Sequence, residues 1–189
     1  MSKSKRLVYV SEDILEEIME AARIEGKPVG DYVEEALKQA LKARKLGYNP
    51  EKAMEILEAA HLRSVLGGAY IPLEVLNHLI EACKDMERLK EKWFESGQWH
   101  GKYLKEKFKD PIQAFKALLE ATRWDLTEVE AKNEGDKIKL RLVSTILSRE
   151  GTELLHKYVE GAISSMGYKT VKSEHMKGLI ILEIKPDKE

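Results

Sequence analysis

Hydrophobic and polar residues follow two periods along this chain of 189 residues, one near 3.6 and one of 2. Residues 5–10, KRLVYV, read as a short strand, and Ser11 is a good N-cap with Glu12 and Asp13 behind it. Ile14, Leu15, Ile18, Ala21, Ala22 and Ile24 then recur at helical spacing up to Gly26. Pro28 and Gly30 suit a tight turn and Asp31 a second cap. Tyr32, Val33, Ala36, Leu37, Ala40 and Leu41 form the stripe of the next helix. KARKLGYNP carries the usual stop signals, which puts a boundary at Gly47 to Pro50.

Beyond it a helix over 51–66 breaks at GGAYIP, and Pro72 suits the first turn of another, with Leu73, Leu76, Ile80, Cys83 and Met86 inward. ESGQWHGKYL is expected to interrupt or bend the helical region, which resumes to Phe108, and DPIQAFKALLEATRW reads as a further capped helix. The period then becomes 2. LTEVEAK and KIKLRLVS flank the turn NEGD, a helix spans 149–166, and YKTVKSEHM and LIILEIK flank Lys177-Gly178. The expected class is α+β: an N-terminal unit over 1–47, then a helix-rich domain over 48–189 with two β-hairpins.

Composition narrows the setting. Charged residues make up 34% of the chain, and amides are few, a balance that suggests a thermophile. The net charge is -1, so any nucleic-acid contact must come from a local patch rather than bulk positive charge. Cys83 is the one cysteine, no apolar run reaches the length of a membrane span, and MSKSKRLVYV lacks a signal-peptide core; these point to a cytoplasmic protein with no membrane partner.

Catalytic patterns do not emerge. The histidines lack HExxH spacing, a lone cysteine excludes a CxxC zinc site, and no phosphate loop or G-x-S-x-G elbow occurs. His156 and Glu160 lie one helical turn apart and read as a solvated pair. No enzyme, catalytic residue, metal ligand or cofactor is expected.

KRLVYVSEDILEEIMEAARIEGKPVGDYVEEALKQAL resembles the ribbon-helix-helix family of DNA-binding dimers, over about a quarter of the chain. A unit this small cannot bury a sufficient core alone, so folding and dimerisation become one event. The resemblance implies paired strands across a twofold axis that enter the major groove of double-stranded DNA. Counting from the cap, Arg6, Val8 and Val10 face inward, and Lys5, Leu7 and Tyr9 face the groove. Val29 and Gly30 match the phosphate-contacting turn, with Lys27 beside it. The groove face departs from the family's usual polar residues, because Leu7 reaches at most a thymine methyl. Over residues 1–46 nine basic residues balance nine acidic ones.

Residues 70–185 resemble the 4-vinyl reductase-type domain, through YIPLEVLNHLIEAC, through Gly97 and Gly101 in ESGQWHGKYL, and through YVEGAISSMGYKTVKSEHMKGLIILEI. The resemblance implies a small-molecule-binding α+β domain that often dimerises. Several members carry cysteines near the last hairpin, where this chain has none. WFESGQWHGKYL would line an apolar cavity with Trp93, Phe94, Trp99 and Tyr103 as walls and His100 as a polar handle; the alternative is that these rings fill the core. Together the expectation is a homodimeric DNA-binding transcriptional regulator with a C-terminal domain that senses a small apolar ligand. Its rival is a ligand-binding or assembly protein that uses the N-terminal unit only to dimerise.

Overall fold

The structure, a computed structural model, describes residues 6–69, 71–123 and 125–187. Lys5, one of the expected groove residues, lies outside the described residues. The fold is α+β, and the chain divides into two compact units between Met54 and Glu55.

The first unit holds α1 (Glu12–Ile24), α2 (Val29–Lys45) and the start of α3 (Pro50–Val65). Ser11 occupies the N-cap position of α1. Gly26 ends that helix at φ +65°, where its N–H donates to the Arg23 carbonyl and the Lys27 N–H to that of Ala22, two otherwise orphan acceptors. The second cap differs from expectation. Pro28, not Asp31, holds the N-cap position, because its ring fixes φ at -58° and its carbonyl accepts from both Asp31 and Tyr32 N–H. Ala22 is the one buried side chain of α1, and α2 has none. Residues 6–10 have no regular secondary structure, and among the described residues no strand forms there.

The second unit holds the rest of α3, α4 (Leu73–Glu81), α5 (Met86–Lys107), α6 (Pro111–Thr122), β1 (Glu128–Glu134), β2 (Lys137–Val143), α7 (Arg149–Ser165), β3 (Tyr168–Met176) and β4 (Leu179–Pro186). Asp85, Asp110 and Ser148 cap α5, α6 and α7 by accepting from backbone N–H groups of the first turn. The strands form one antiparallel sheet in the order β1-β2-β4-β3. Leu140 pairs with Leu182 and Leu142 with Ile180, which aims all four at the same face. They join Leu155, Val159 and Ile163 of α7 and Ile112, Phe115 and Leu119 of α6 in one core. Outward positions are charged and paired across strands, as with Arg141 to Glu128 at 2.7 Å and Lys137 to Glu183 at 3.1 Å.

A bulge on β3 changes its phase. Tyr168 and Thr170 precede it, Val171 is the extra residue, and Ser173 and His175 follow opposite Leu182 and Ile180. The extra residue lets Tyr168 and the Ser173–His175 pair share the face of the sheet toward α7 despite their opposite parity, with Ser173 and His175 still exposed.

The expected interruption at ESGQWHGKYL does not occur, and α5 runs unbroken for 22 residues. Its glycines serve a different end. Gly97 and Gly101 are buried where α5 crosses α7. A Cβ on Gly97 would stand 2.0 Å from the Tyr158 carbonyl oxygen, and one on Gly101 2.2 Å from that of Ala162. From the other helix, a Cβ on Gly161 would stand 2.1 Å from the Phe94 carbonyl oxygen. The helices thus meet backbone to backbone, as small-xxx-small pairs allow. Each interior glycine costs about 1 kcal/mol of helix propensity, and the close packing offsets it.

Gly101→Ala should destabilise the second unit by about 1–3 kcal/mol, because the new methyl meets backbone that cannot swing aside. Gly30→Ala, in the first turn of α2 with open space around the added atom, should be neutral or stabilising by up to about 1 kcal/mol. Urea unfolding of both variants checks the contrast. Equal effects would show that the α5–α7 crossing has slack.

Candidate functional site

The second unit holds a half-open cavity of about 590 Å³, within the usual range of small-molecule sites. The end of α3 and the segment after it supply Arg63, Leu66, Gly68, Ala69 and Ile71. Leu73 and Leu76 come from α4, Trp93 and His100 from α5, Leu118, Leu119 and Thr122 from α6, and Tyr158 from α7. Arg123, Asp125 and Ile146 complete the wall from the flanking loops.

Tyr158 is the hub. Its ring meets Trp93 edge-on at 6.4 Å, His100 edge-on at 5.4 Å and Phe115 at 5.9 Å. Burial raises its hydroxyl well above the ordinary phenol range, so the group stays protonated. His100 Nε2 lies 3.3 Å from the Leu66 carbonyl oxygen and Nδ1 2.7 Å from Tyr158 Oη. A carbonyl only accepts, so Nε2 carries the proton and Nδ1 accepts from the tyrosine. Burial holds His100 below its usual pKa against the opposing bond to Leu66, which keeps this neutral tautomer.

At the polar end Arg123 grips Asp125 with two bonds, Nε to Oδ1 at 2.8 Å and Nη2 to Oδ2 at 2.5 Å. Burial opposes the charge on Asp125, but the guanidinium outweighs it and holds the carboxyl below its ordinary value. Ser144 ties this corner down. Its hydroxyl donates to the Asp125 carbonyl at 2.6 Å and accepts from Ile146 and Leu147 N–H. Arg63 lies against Gly68, where a Cβ would come within 2.3 Å of its Cγ.

Of the five expected cavity residues, the structure brings Trp93 and His100 to the site, seven positions apart on one face of α5. The other three lie outside its lining. Phe94 borders a separate shallow groove with Glu87, Lys90 and Lys157. Trp99 stands 75% exposed, one residue off the face that carries His100. Tyr103 packs half-buried against the core. Tyr158, Arg63, Arg123 and Asp125 do not stand out in the sequence, because they reach the cavity from elements whose mutual packing no local period encodes. The one usable signal is Tyr158 standing three residues before Gly161, on the helix that faces the glycines of α5.

The expected DNA residues lie in the first unit. Leu7 and Tyr9 are 79% and 90% exposed, Gly30 is exposed and Val29 half-buried. Lys27 is engaged by Glu35 at 2.7 Å and Glu25 at 2.9 Å. A phosphate must compete with both carboxylates for it.

A second polar cluster joins α7 to β3. His156, buried rather than solvated, contacts Ser173 Oγ at 2.6 Å and Glu160 Oε1 at 3.3 Å, both through Nε2, and stacks on His175 at 4.2 Å. Ser173 donates to Glu160 Oε1 at 3.3 Å, so its oxygen accepts from a protonated His156 Nε2. Nδ1 is buried and without a hydrogen-bond partner. A serine–histidine–carboxylate relay needs the acid on the ring nitrogen opposite the serine; here both crowd one nitrogen. Among the described residues no group of three or more His, Cys, Asp or Glu side chains is placed to hold a metal ion.

Burial, against the attraction of Glu160 and helped by His175, pushes the His156 pKa down to about 4. The unfolded chain takes up that proton below about 6.5, and the folded chain does not until near 4, so stability falls as pH drops through this interval. The loss at the acid end is on the order of 3 kcal/mol, with His100 adding in the same direction. The urea midpoint should be lower at pH 5 than at pH 7, and His156→Gln should flatten the slope. An unchanged slope in that variant would assign the pH dependence elsewhere.

Comparison of the chain with family models, with curated proteins and with solved structures returned no match.

Proposed function

We propose that this chain is a homodimeric DNA-binding transcriptional regulator whose second unit senses a small molecule. The observation that carries the reading is the uncovered apolar surface of the first unit. Leu7, Val8, Tyr9 and Val10 are exposed on a segment without a strand partner among the described residues. Ile14, Leu15, Met19 and Ile24 of α1 and Leu37 and Leu41 of α2 are exposed as well. A folded unit rarely leaves so much apolar surface to water, and covering a leucine or isoleucine contributes about 1.5–3 kcal/mol. A second copy, pairing 6–10 antiparallel and interlocking the helices, supplies that cover. The cavity of the second unit supports the sensory part.

The carboxylates on Lys27 and the apolar groove face favour a second reading, in which the first unit dimerises and touches no DNA. Lys5→Ala distinguishes them. On the DNA reading it weakens binding to all sequences alike and lowers the salt slope by about 0.9 for each phosphate no longer neutralised. Tyr9→Ala instead reduces discrimination between sites by about 1 kcal/mol or more per half-site. Genomic DNA capture followed by mobility shift at low salt is the measurement, and no binding by the unmodified protein leaves the dimerisation reading.

Deleting residues 1–10 should convert the dimer to a species with exposed apolar helices that is monomeric or aggregates. Sedimentation showing the full chain as a folded monomer at micromolar concentration would remove the basis of both readings.

A further inference from the structure

We propose that α4 is the lid of the cavity and opens to admit the ligand. This rests on the reading of the cavity as the sensory site and adds its entrance. Leu73 and Leu76 of α4 line the cavity, while Val75 and Leu79 on its other side stand 47% and 54% exposed. A single helix of nine residues therefore separates that part of the cavity from water. It is also lightly held. Ile80 is its one fully buried side chain, and it packs chiefly against α7. A helix this short has little stability of its own, so these few contacts keep it in place. Lids are drawn from such weakly held elements.

A buried polar atom opposes closure. Asn77 Oδ1 on α4 is buried and has no hydrogen-bond partner among the described residues. An acceptor left dry costs its full desolvation, and swinging α4 outward returns it to water. The ends of the helix allow that movement. Gly67, just past α3, stands at φ +75° and Gly68 follows it, so the chain ahead of α4 turns on two residues without a side chain. Beyond Glu81, α5 starts on its own cap, where Asp85 accepts from Arg88 N–H, so its first turn does not depend on α4. The closed position is latched from α5, where His100 Nε2 donates to the Leu66 carbonyl beside the glycines. A ligand in the cavity gives Leu73 and Leu76 further apolar contact, which shifts the balance towards closure.

The test uses the full chain, with amide exchange read by mass spectrometry and N-phenyl-1-naphthylamine as a neutral fluorescent probe. Residues 73–82 should exchange at least about tenfold faster than α5 and α7, and bound probe should slow them. Asn77→Leu removes the dry acceptor at similar volume. Exchange over 73–82 and the association rate of the probe by stopped flow should both fall by about five- to thirtyfold. Gly67→Ala has open space around its methyl but a φ that other residues resist, and should raise both rates. That opposite sign separates a lid from a general folding defect, and if Asn77→Leu does not fold, unchanged rates in Gly67→Ala overturn the lid. If the probe binds but 73–82 exchanges no faster than α5, or Asn77→Leu leaves either rate unchanged, α4 is not the lid and the sensory cavity stands. If the probe does not bind, the sensory cavity falls and the lid with it.

Discussion

Two helices approach to backbone contact only where a glycine of one faces the backbone of the other, and α5 and α7 meet that condition three times. Gly97 and Gly101 press on the carbonyls of Tyr158 and Ala162, and Gly161 presses on that of Phe94. The crossing fixes the rotation of both helices as well as their distance. With Gly97 and Gly101 turned to α7, helical geometry leaves Trp93 and His100 beside the seam. With Gly161 turned to α5, Tyr158 stands one turn away and meets both rings. The aromatic wall of the cavity is thus a consequence of where the side chains are missing.

The same crossing leaves α7 free to carry the sheet on its other side. Leu155, Val159 and Ile163 share the core with β2 and β4, so α7 is the layer between cavity and sheet. Buried polar groups on this helix are matched within it, by the hairpins or, for the Tyr158 hydroxyl, by His100 of α5. Thr152 Oγ1 donates to the Ser148 carbonyl and accepts from Gly178 N–H at the turn of the second hairpin. The Gly178 carbonyl in turn accepts from Ser144 N–H. Ser144 holds Asp125 and the start of the loop that bears Ile146. One chain of hydrogen bonds therefore runs from the hairpin turn to the polar corner of the cavity, and such connected networks are stiffer than their separate bonds. His156 Nδ1 is the exception, a buried lone pair that nothing satisfies.

The first unit obeys an opposite constraint. It has good local signals throughout: Ser11 at a cap, Gly26 and Gly47 at positive φ, acidic first turns and basic last turns. Local signals decide where helices start and stop, not whether they can stand alone. The apolar stripes read from the sequence are present in α1 and α2, and Ala22 is the one side chain of the two helices that is fully buried, with Ile18, Ala21, Tyr32, Val33 and Ala40 half-buried.

How far the sequence can be read follows from the range of each interaction. Element positions in the second unit are legible because caps, turns and periodicity act over a few residues. Asp110 before Pro111, Ser148 before α7 and the two hairpin turns are all of this kind. The fold class follows from their order. The glycines of α5 read as a break because propensity is a local cost, and the compensation comes from α7, about 60 residues further on. That separation also hides the site. Trp93 and His100 are visible as an aromatic and a polar group on a helix, but nothing within their own segment distinguishes them from Trp99, which faces water, or from Tyr103, which faces the core. Only the partner helix makes the distinction. Arg63 carries the same lesson. As sequence it is one more basic residue near a helix end; its place at the cavity comes from the turn that follows, where Gly68 leaves room for its stem.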